Sequence, residues 1–514
     1  MSTLPLAPAN VRPRFAVHPP RLAALAPLLF FALFFFQLGA RDLVSSHEAR
    51  AAQNAQRMLD TGEWGLPTLF DGQRDLQKPP GFYWLVAAVG WLNGGHVSPW
   101  VARFPAALSG LVAVLLVYGF LRREGYTTGA LVAAVALASA NHFVAIGRTA
   151  RIDVPLTCAV AVSLLAFYKG MCEPRSGTDT AGMNPAARFL LSAIAAGFAV
   201  LLKGPVGLAL IGTVAVAFLL VERLFVVPGS RPVLPLSSAI LGVCVVALVA
   251  LPWFAWAQHA TDGEFVRVFF WHHNVARFTG ESESLASHPW WYYGPRFALA
   301  FLPWTLLLAP LAVWGLRSGV WKQERAFRFG MVWLVVMVAV LSASRFKRAD
   351  YLLPAFPGAA LALGCAAERW LASRTNPRSA TRAKVAFGVL VAGAVAVWPV
   401  MWFAVEPAEA ARQEKRPFAA AVREHAPRPQ TVLLFRTESH LLAYHLGSPL
   451  HTVVEWGELK DELSKPGPHA VVMPPEYAAD ARRITGRELR PVADLADFIS
   501  VRPPRPLVCL RTTD

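Results

Sequence analysis

A lysine and two prolines form a rigid, charged step directly before an apolar segment. The stretch reads RDLQKPPGFYWL, from Arg74 to Leu85, with Lys78 in front of Pro79 and Pro80. Proline fixes its own φ and pushes the preceding residue toward extended geometry, so the lysine is held at the edge of the bilayer that the apolar segment would enter. A lysine that only snorkels to the membrane surface needs no double proline. The pattern therefore favours a fixed cation that receives a phosphate.

Acid–base candidates stand earlier in the same polar stretch, where His47, Glu48 and Arg50 follow the first apolar segment. Glu48 is the first candidate for the base that takes a proton from an acceptor. His47 is another candidate, because a neutral imidazole accepts a proton near neutral pH. An ordinary solvated helix end is the structural alternative, and this stretch alone favours it.

Asp153, in the stretch GRTARIDVPL, is the second candidate base, ahead of His47. An aspartate at the entry to a membrane helix is a functional hypothesis by default. The alternative is a salt bridge to Arg148 or Arg151, which would make the carboxylate structural.

Two later stretches carry further polar groups between apolar segments. The first is VRVFFWHHNVARF, with His273, Asn274 and Arg277. The second is SASRFKRADYLLP, with Arg345, Lys347, Arg348 and Tyr351. The three cations of the second stretch favour an anionic head group as ligand. No cofactor is required by these residues. The sequence leaves open whether a divalent metal ion binds, with His273 as a candidate ligand. His272 and His273 make a weak metal-binding pair, because adjacent side chains cannot face the same way on a helix.

The composition places these residues in a membrane protein. The chain has 514 residues, 55% of them hydrophobic and 16% charged, whereas soluble domains contain about a quarter charged residues. Its net charge of +16 does not indicate nucleic acid, since the basic residues gather in short loops between apolar segments. Five cysteines without a CxxC motif indicate neither a disulfide framework nor a structural zinc site.

Twelve apolar segments predict membrane helices at 22–40, 81–93, 104–121, 127–147, 153–169, 188–202, 204–222, 234–257, 296–316, 328–344, 351–368 and 385–405. The positive-inside rule places the polar segments 41–80, 258–295 and 344–350 together on the outer side. Twelve crossings cannot put the N-terminus inside and the tail outside. We therefore expect about thirteen crossings; residues 81–152 are the ambiguous region, and the sequence does not place the additional crossing.

Three regions follow from this pattern. Residues 1–20 are expected to be a cytoplasmic segment, 21–405 a polytopic α-helical membrane domain, and 406–514 an extracytoplasmic α/β domain. The tail alternates short β-type runs with helix-like segments. We expect this domain to brace the outer loops; recognition of an acceptor is the alternative.

An ordered set of motifs resembles one family. HEARAAQNAQRMLDTGEWGLPTLFDG, LQKPPGFYWL, ARFPAAL, RTARIDVPL, KGPVG, HHNVARF, HPWWYYGPRF and SRFKRADYLLPAFPG follow, in order, the pattern of bacterial ArnT-like glycosyltransferases. These are family 39/83 type relatives within the dolichyl-phosphate-mannose protein mannosyltransferase superfamily. The resemblance covers residues 20–405 and implies a GT-C fold.

The resemblance also implies roles for individual residues. The family's Lys-Pro-Pro lysine contacts the lipid phosphate, which gives this role to Lys78. The family's Asp-Glu pair, whose Asp is catalytic, is matched here by His47 and Glu48. The glutamate that helps bind a metal ion in the aminoarabinose enzymes is matched by Gln77. Two of the family's carboxylates are therefore absent.

The expected function is transfer of a sugar from a polyprenyl-phosphate donor to a lipid, glycan or protein acceptor, as in a 4-amino-4-deoxy-L-arabinose transferase. The expected location is the bacterial inner membrane, with the active site facing the periplasm. Such a reaction modifies lipid A or a cell-envelope glycan. Lys78, Arg277, Arg345, Lys347 and Arg348 are the expected phosphate ligands. The alternatives are a polytopic transporter or flippase, or an inactive relative that binds lipid-linked sugar. The sugar, the acceptor and the oligomeric state do not follow from the sequence.

Overall fold

The computed structural model describes residues 26–172, 184–225, 234–275, 288–374, 376–437, 439–495 and 506–512. Side chains at 273–275, 380, 412 and 413 lie outside this description. The described part is mostly helical as far as residue 425 and ends in a small mixed α/β unit.

The membrane part consists of helices α1 (Ala26–Phe35), α2 (Ser46–Thr61), α3 (Gly81–Leu92), α4 (Pro99–Arg123), α5 (Thr128–Ser139), α6 (Asn141–Gly147), α7 (Asp153–Cys172), α8 (Pro185–Lys203), α9 (Pro205–Phe225), α10 (Leu236–Ala260), α11 (Tyr293–Ala300), α12 (Thr305–Arg317), α13 (Val320–Gln323), α14 (Arg325–Ala343), α15 (Phe356–Ala372) and α16 (Pro377–Val400). Wider or tighter turns lie at Val266–Val275, Trp290–Tyr292, Ala349–Ala355 and Met401–Val405.

Eight helices of the described residues are long and apolar enough to cross a membrane, and two bent pairs bring the number to ten. In the first pair, α5 and α6 are bent by 59° relative to each other. In the second, the turn Trp290–Tyr292 and α11 together are bent by 112° relative to α12. The helices α1 and α3 are apolar but shorter. The polytopic helical architecture is confirmed, and the number of thirteen crossings stays a prediction.

Small residues let the spanning helices approach one another closely. A Cβ atom on Gly129 of α5 would lie 2.4 Å from the carbonyl oxygen of Gly364 in α15. Apolar helices in a bilayer have no hydrophobic driving force toward one another, because lipid tails are equally apolar. Van der Waals contact between close backbones is therefore a main source of their packing energy. Buried apolar side chains from α1 to α16 form one continuous core around this contact.

The C-terminal unit contains α17 (Glu406–Gln413), α18 (Arg416–His425), β1 (Val432–Phe435), α19 (His440–Leu446), β2 (Leu450–Val453), α20 (Trp456–Ser464), β3 (Ala470–Met473), α21 (Ala478–Thr485), β4 (Leu489–Leu495) and β5 (Leu507–Thr512). The strand order is β2-β1-β3-β5-β4. β1 is parallel to both β2 and β3, whereas β5 is antiparallel to β3 and β4. The sequence predicted four of the strands and missed β4, because Pro491 and poor alternation conceal this edge strand.

The α/β unit is attached to α2 through α19. Gln53 Nε2 donates to the carbonyl of His440 at 2.9 Å, and Tyr444 Oη donates to the carbonyl of Val97 at 2.8 Å. Thr452 Oγ1 donates to an Asp71 carboxylate oxygen at 2.6 Å. These contacts join the unit to the segment 41–80 and to Val97; its role as a brace of the outer loops stays a prediction.

Candidate active site

A narrow polar pocket lies where the N-terminus of α2, the residues before α3 and the N-terminus of α7 meet. Its polar walls are His47, Arg50, Lys78, Tyr83, Arg151 and Asp153. Five of these six residues were singled out from the sequence, and Tyr83 was not given a role. The fold therefore brings together residues separated by more than a hundred positions.

His47 reaches the pocket because α2 begins just before it. The Ser45 side chain caps this helix by accepting a hydrogen bond from the Glu48 amide at 3.3 Å. Burial and the charges of Lys78 and Arg151 lower the pKa of His47 to about 3. The imidazole is therefore neutral at every physiological pH. It makes no hydrogen bond or ion pair with another residue that the structure describes.

Lys78 is the unpaired cation of the pocket. Within the described ranges its ammonium has no hydrogen bond and no ion pair at 4.0 Å or less. Burial lowers the pKa of Lys78 to about 8, while the nearby charge of Asp153 raises it. A desolvated ammonium without a protein partner has its full hydrogen-bonding capacity left for an anion.

Asp153 faces the same pocket from the first turn of α7. Lys203 Nζ lies 2.6 Å from Asp153 Oδ1, and Arg151 Nε lies 3.5 Å from Asp153 Oδ2. The expected alternative, a salt bridge to Arg151, is thus present beside the pocket position. Arg148 instead approaches Glu406, at 3.7 Å.

Arg151 is held between two carboxylates. Its NH2 group lies 2.5 Å from Asp350 Oδ2, and Asp350 Oδ1 lies 3.0 Å from His142 Nε2. The Lys203 ammonium stacks over the Tyr351 ring at 4.1 Å from the centroid. Tyr351 therefore supports Lys203, which in turn holds Asp153.

Lys203 is presented by the end of α8. Gly204 caps this helix with φ +92° and donates to the carbonyl of Val200 at 2.7 Å. A Cβ atom on Gly204 would lie 2.5 Å from the Phe269 ring. Glycine is thus required both for the backbone conformation and for the close approach of the ring.

Glu48 does not line the pocket. Its carboxylate is buried and receives hydrogen bonds from Arg103 Nε at 2.8 Å, the Val44 amide at 3.0 Å and the Ala150 amide at 3.0 Å. Burial disfavours the ionised form, but the charge and hydrogen bonds of Arg103 outweigh this and lower the pKa of Glu48. Both carboxylate oxygens already accept two hydrogen bonds each, which suits a positioning role; the expected role of Glu48 as base stays a prediction.

Asp75 and Gln77 both accept hydrogen bonds from the Arg50 guanidinium. Arg50 Nε lies 3.3 Å from Asp75 Oδ2, and Arg50 NH1 donates to Gln77 Oε1 at 2.8 Å. Asp75 also accepts from Asn54 at 3.0 Å and from Tyr83 at 3.2 Å. A guanidinium thus occupies the space beside Gln77, where the resemblance implies a metal ligand.

A metal ion does not fit this donor set. No group of three His, Cys, Asp or Glu side chains suited to a metal ion occurs among the residues that the structure describes. The carboxylates nearest the pocket, Asp75 and Asp153, are each neutralised by a cation. Arg50, Lys78 and Arg151 already supply the positive charge that a metal would bring.

The three cations of the segment 344–350 have different surroundings. The Lys347 ammonium is buried and donates to the carbonyls of Ser344 and, at 3.0 Å, His288. Arg348 is partly exposed and lies 3.4 Å from Asp350, on the side of the site. Arg345 is exposed, and its carbonyl accepts from the His288 amide at 3.1 Å. Lys347 therefore stabilises the segment 344–350 through its hydrogen bonds. Of the three cations, Arg348 is the one on the side of the candidate active site, next to Asp350.

The predicted cluster in the second outer segment is only partly visible. His273 and Asn274 lie in the turn Val266–Val275, and their side chains are outside the description, as is the whole of Arg277. Their expected roles in phosphate or metal binding stay predictions.

Five residues of the site were not given a role from the sequence: Asp75, Tyr83, His142, Lys203 and Asp350. Lys203 and Asp350 stand inside motifs that carry the resemblance, KGPVG and SRFKRADYLLP, and Asp75 stands three residues before Lys78. A charged residue at the end of an apolar segment is a usable signal. His142 gave none, because its role depends on the bend between α5 and α6.

The fold and the pocket together define a polytopic membrane protein with a cation-rich site at one end of its helices. The family model for dolichyl-phosphate-mannose-protein mannosyltransferase matches residues 22–262. The chain also aligns along nearly its full length with the crystal structure of ArnT from Cupriavidus metallidurans bound to undecaprenyl phosphate. The alignment covers 95% of this chain and 97% of the ArnT chain, with a TM-score of 0.74 and 22% sequence identity.

Curated proteins similar in sequence to this chain carry arabinosyl transferase names. The chain is 30% identical over 351 residues to the undecaprenyl phosphate-alpha-4-amino-4-deoxy-L-arabinose arabinosyl transferase 1 of Pseudomonas fluorescens, covering 68% of this chain and 58% of the relative. It is 33% identical over 342 residues to the corresponding transferase of Pseudomonas aeruginosa, covering 66% and 58%. The chain thus matches less than two thirds of the length of these relatives. The predicted resemblance to ArnT-like proteins and the GT-C fold are confirmed.

Proposed function

We propose that the chain is a glycosyltransferase that takes a sugar from undecaprenyl phosphate, or a similar polyprenyl phosphate, at the periplasmic face of the inner membrane. The observation that carries this proposal is Lys78, an ammonium without a partner among the described residues, beside a neutral His47. An anionic group entering the pocket gains a charge-assisted hydrogen bond and displaces no internal ion pair.

An apolar cavity of about 680 Å³ supports a prenyl donor. It lies between α7, α8, α9 and α10, and its walls are almost entirely apolar. Val200 lines this cavity, and Lys203, less than one turn further along α8, holds Asp153 at the polar pocket. A ligand with a long apolar chain and a charged head matches this combination better than a soluble sugar nucleotide does.

The proposed reaction breaks the bond between the anomeric carbon and the phosphate oxygen, and the polyprenyl phosphate leaves with the electron pair. Lys78 and Arg151 stabilise the charge that grows on the phosphate. An acceptor oxygen forms the new bond to the anomeric carbon. Where that oxygen is a hydroxyl, its proton passes to a base; an ionised acceptor needs none.

Asp153 takes the role of base in this proposal. It is the pocket carboxylate, and Arg151 and Lys203 fix its direction. Burial and the nearby cations disfavour protonation of His47, whose pKa is lowered to about 3. Glu48 instead positions the backbone of Ala150, beside Arg151.

The test uses membrane vesicles that contain the full chain and a radiolabelled undecaprenyl-phosphate sugar. The proposal requires release of sugar-free undecaprenyl phosphate together with label in an acceptor, both dependent on Lys78. If the labelled lipid only changes leaflet with its sugar bond intact, the chain is a flippase. If the lipid binds but is never consumed, the chain is an inactive relative.

A further inference from the structure

The strand order of the small α/β unit places a topological switch point at the carboxyl ends of two of its parallel strands. β1 and β3 are adjacent and parallel. The helix after β1, α19, packs on the face that carries Val432 and Leu434, whereas the helix after β3, α21, packs on the face that carries Leu433. Connections that leave neighbouring strands toward opposite faces open a crevice, and open α/β sheets bind ligands there.

Three aromatic rings and one arginine converge on this crevice. Phe435 ends β1, Trp456 follows β2 and Tyr477 follows β3. The Arg436 guanidinium lies 5.3, 5.2 and 5.4 Å from the ring centroids of Phe435, Trp456 and Tyr477. Trp456 and Tyr477 are both partly exposed. We call these four residues the aromatic crevice.

Arg436 is held in a fixed direction. Its backbone has φ +47°, a conformation that costs free energy for a residue with a side chain. Its Nε donates to the carbonyl of Val454 at 2.8 Å. Arg436 is exposed, and its two terminal nitrogens make no hydrogen bond or ion pair within the described part of the chain. A guanidinium fork fixed in this way is prepared for a carboxylate or phosphate.

Two carboxylates flank the same edge. Glu455 follows β2 and Glu476 follows β3, and both are exposed. They disfavour a ligand with several negative charges, but they can accept hydrogen bonds from hydroxyl groups. The partly exposed faces of Trp456 and Tyr477 suit a flat ring surface.

We propose that the aromatic crevice binds an acidic saccharide, with its single anionic group on Arg436, its ring against Trp456 and Tyr477, and its hydroxyl groups on the flanking carboxylates. The anionic group is a carboxylate or a phosphate. The site is separate from the pocket at Lys78, so its binding test does not depend on sugar transfer.

The binding test uses the full chain in detergent micelles and saturation-transfer NMR with three saccharide probes, glucuronate, glucose 6-phosphate and glucose. Inorganic phosphate has no carbon-bound proton to observe, so its binding is measured by displacement of the acidic sugar. At least one acidic sugar should bind roughly tenfold more tightly than glucose, since a charge-assisted fork contributes about that much. The acidic sugar that binds identifies the anionic group. Equal binding of glucose, equal binding of inorganic phosphate, or no saccharide signal at all overturns the proposal.

Variants locate the signal. Arg436→Asn removes the guanidinium and tolerates a positive φ, and it should weaken binding of the acidic probe roughly tenfold. Arg490→Gln, an exposed arginine on β4 of the same sheet, is the matched control and should bind like the unaltered chain. Binding that persists in Arg436→Asn shows that the saccharide lies elsewhere. The Lys78→Ala variant should keep this binding, which separates this site from failure of the proposed donor site.

Discussion

Two regions contain the same kinds of charged group, with their hydrogen-bonding capacity left open in one and used up in the other. The first is the pocket, and the second is the set of buried contacts made by Glu48 and Lys347, which we call the frame. In the pocket, Lys78 has no protein partner among the described residues, and Asp153 keeps a face toward the open space. In the frame, Glu48 accepts bonds from Arg103 and two amides, and Lys347 donates to two carbonyls. Adjacent residues, His47 and Glu48, fall on different sides of this division. Residue type and sequence position therefore do not identify a chemical role; unused hydrogen-bonding capacity does.

The largest expected effect is on the pocket carboxylate. Asp153→Asn should lower kcat by about 10²–10⁴-fold if the acceptor is a hydroxyl, the usual contribution of a general base. The change also leaves Lys203 without its carboxylate partner and Arg151 with one of its two, so donor affinity should hold or rise and the Tm should fall, whereas the loss in kcat reports the base. Single-turnover transfer measured beside donor binding separates the two quantities. Unchanged kcat would remove Asp153 from the reaction.

The next largest effect is on the unpaired cation. Lys78→Ala should lower kcat/KM for the donor by roughly 10²–10³-fold, because a preorganised charge at the leaving phosphate is lost. Arg345→Gln is the matched control, as its side chain is exposed and is not among the described residues that line the pocket. Equal losses in the two variants would show a general field effect in place of a specific contact.

The frame should respond through stability. Glu48→Gln leaves the buried Arg103 without its charged partner, which costs about 3–5 kcal/mol of unfolding free energy. We expect a lower Tm, with transfer per folded molecule reduced far less than in Asp153→Asn. Thermal unfolding and activity are measured on the same preparation. A normal Tm with abolished transfer would return the catalytic role to Glu48.

Lys347 gives a smaller effect of the same kind. Lys347→Met preserves the apolar length of the side chain but leaves the carbonyls of Ser344 and His288 unpaired, which costs about 1–3 kcal/mol. Donor affinity should stay within about twofold of the unaltered value, since no phosphate contact is removed. A large loss of donor affinity at normal stability would place Lys347 in the pocket after all.

The pH dependence gives the finest distinction. With the pKa of Lys78 at about 8, the ammonium is present below pH 8 and is lost as pH rises through that value. Affinity for the donor diester, whose charge does not change in this range, should fall roughly tenfold per pH unit above 8. Lys78→Arg keeps its charge and should give a flat profile. An identical slope in both proteins would assign the titration to another group.

Sequence reasoning reached the helices and the individual pocket residues more readily than the relations between them. Long apolar segments predicted the spans, and the Pro-Pro step predicted a fixed Lys78. The saturation of Glu48 could not be predicted, because Arg103 and Ala150 reach it only after α4 and α7 pack together. Likewise, three similar cations at 345–348 separate into an anchor, an exposed side chain and a site-facing side chain only in three dimensions.

The most direct measurement is a structure of the full chain with undecaprenyl phosphate in a lipid nanodisc. The account predicts phosphate oxygens within hydrogen-bonding distance of Lys78 Nζ, the prenyl chain in the cavity between α7 and α10, and Glu48 still bonded to Arg103. A phosphate bound at Lys347 or Arg345, with Lys78 left unengaged, would contradict it.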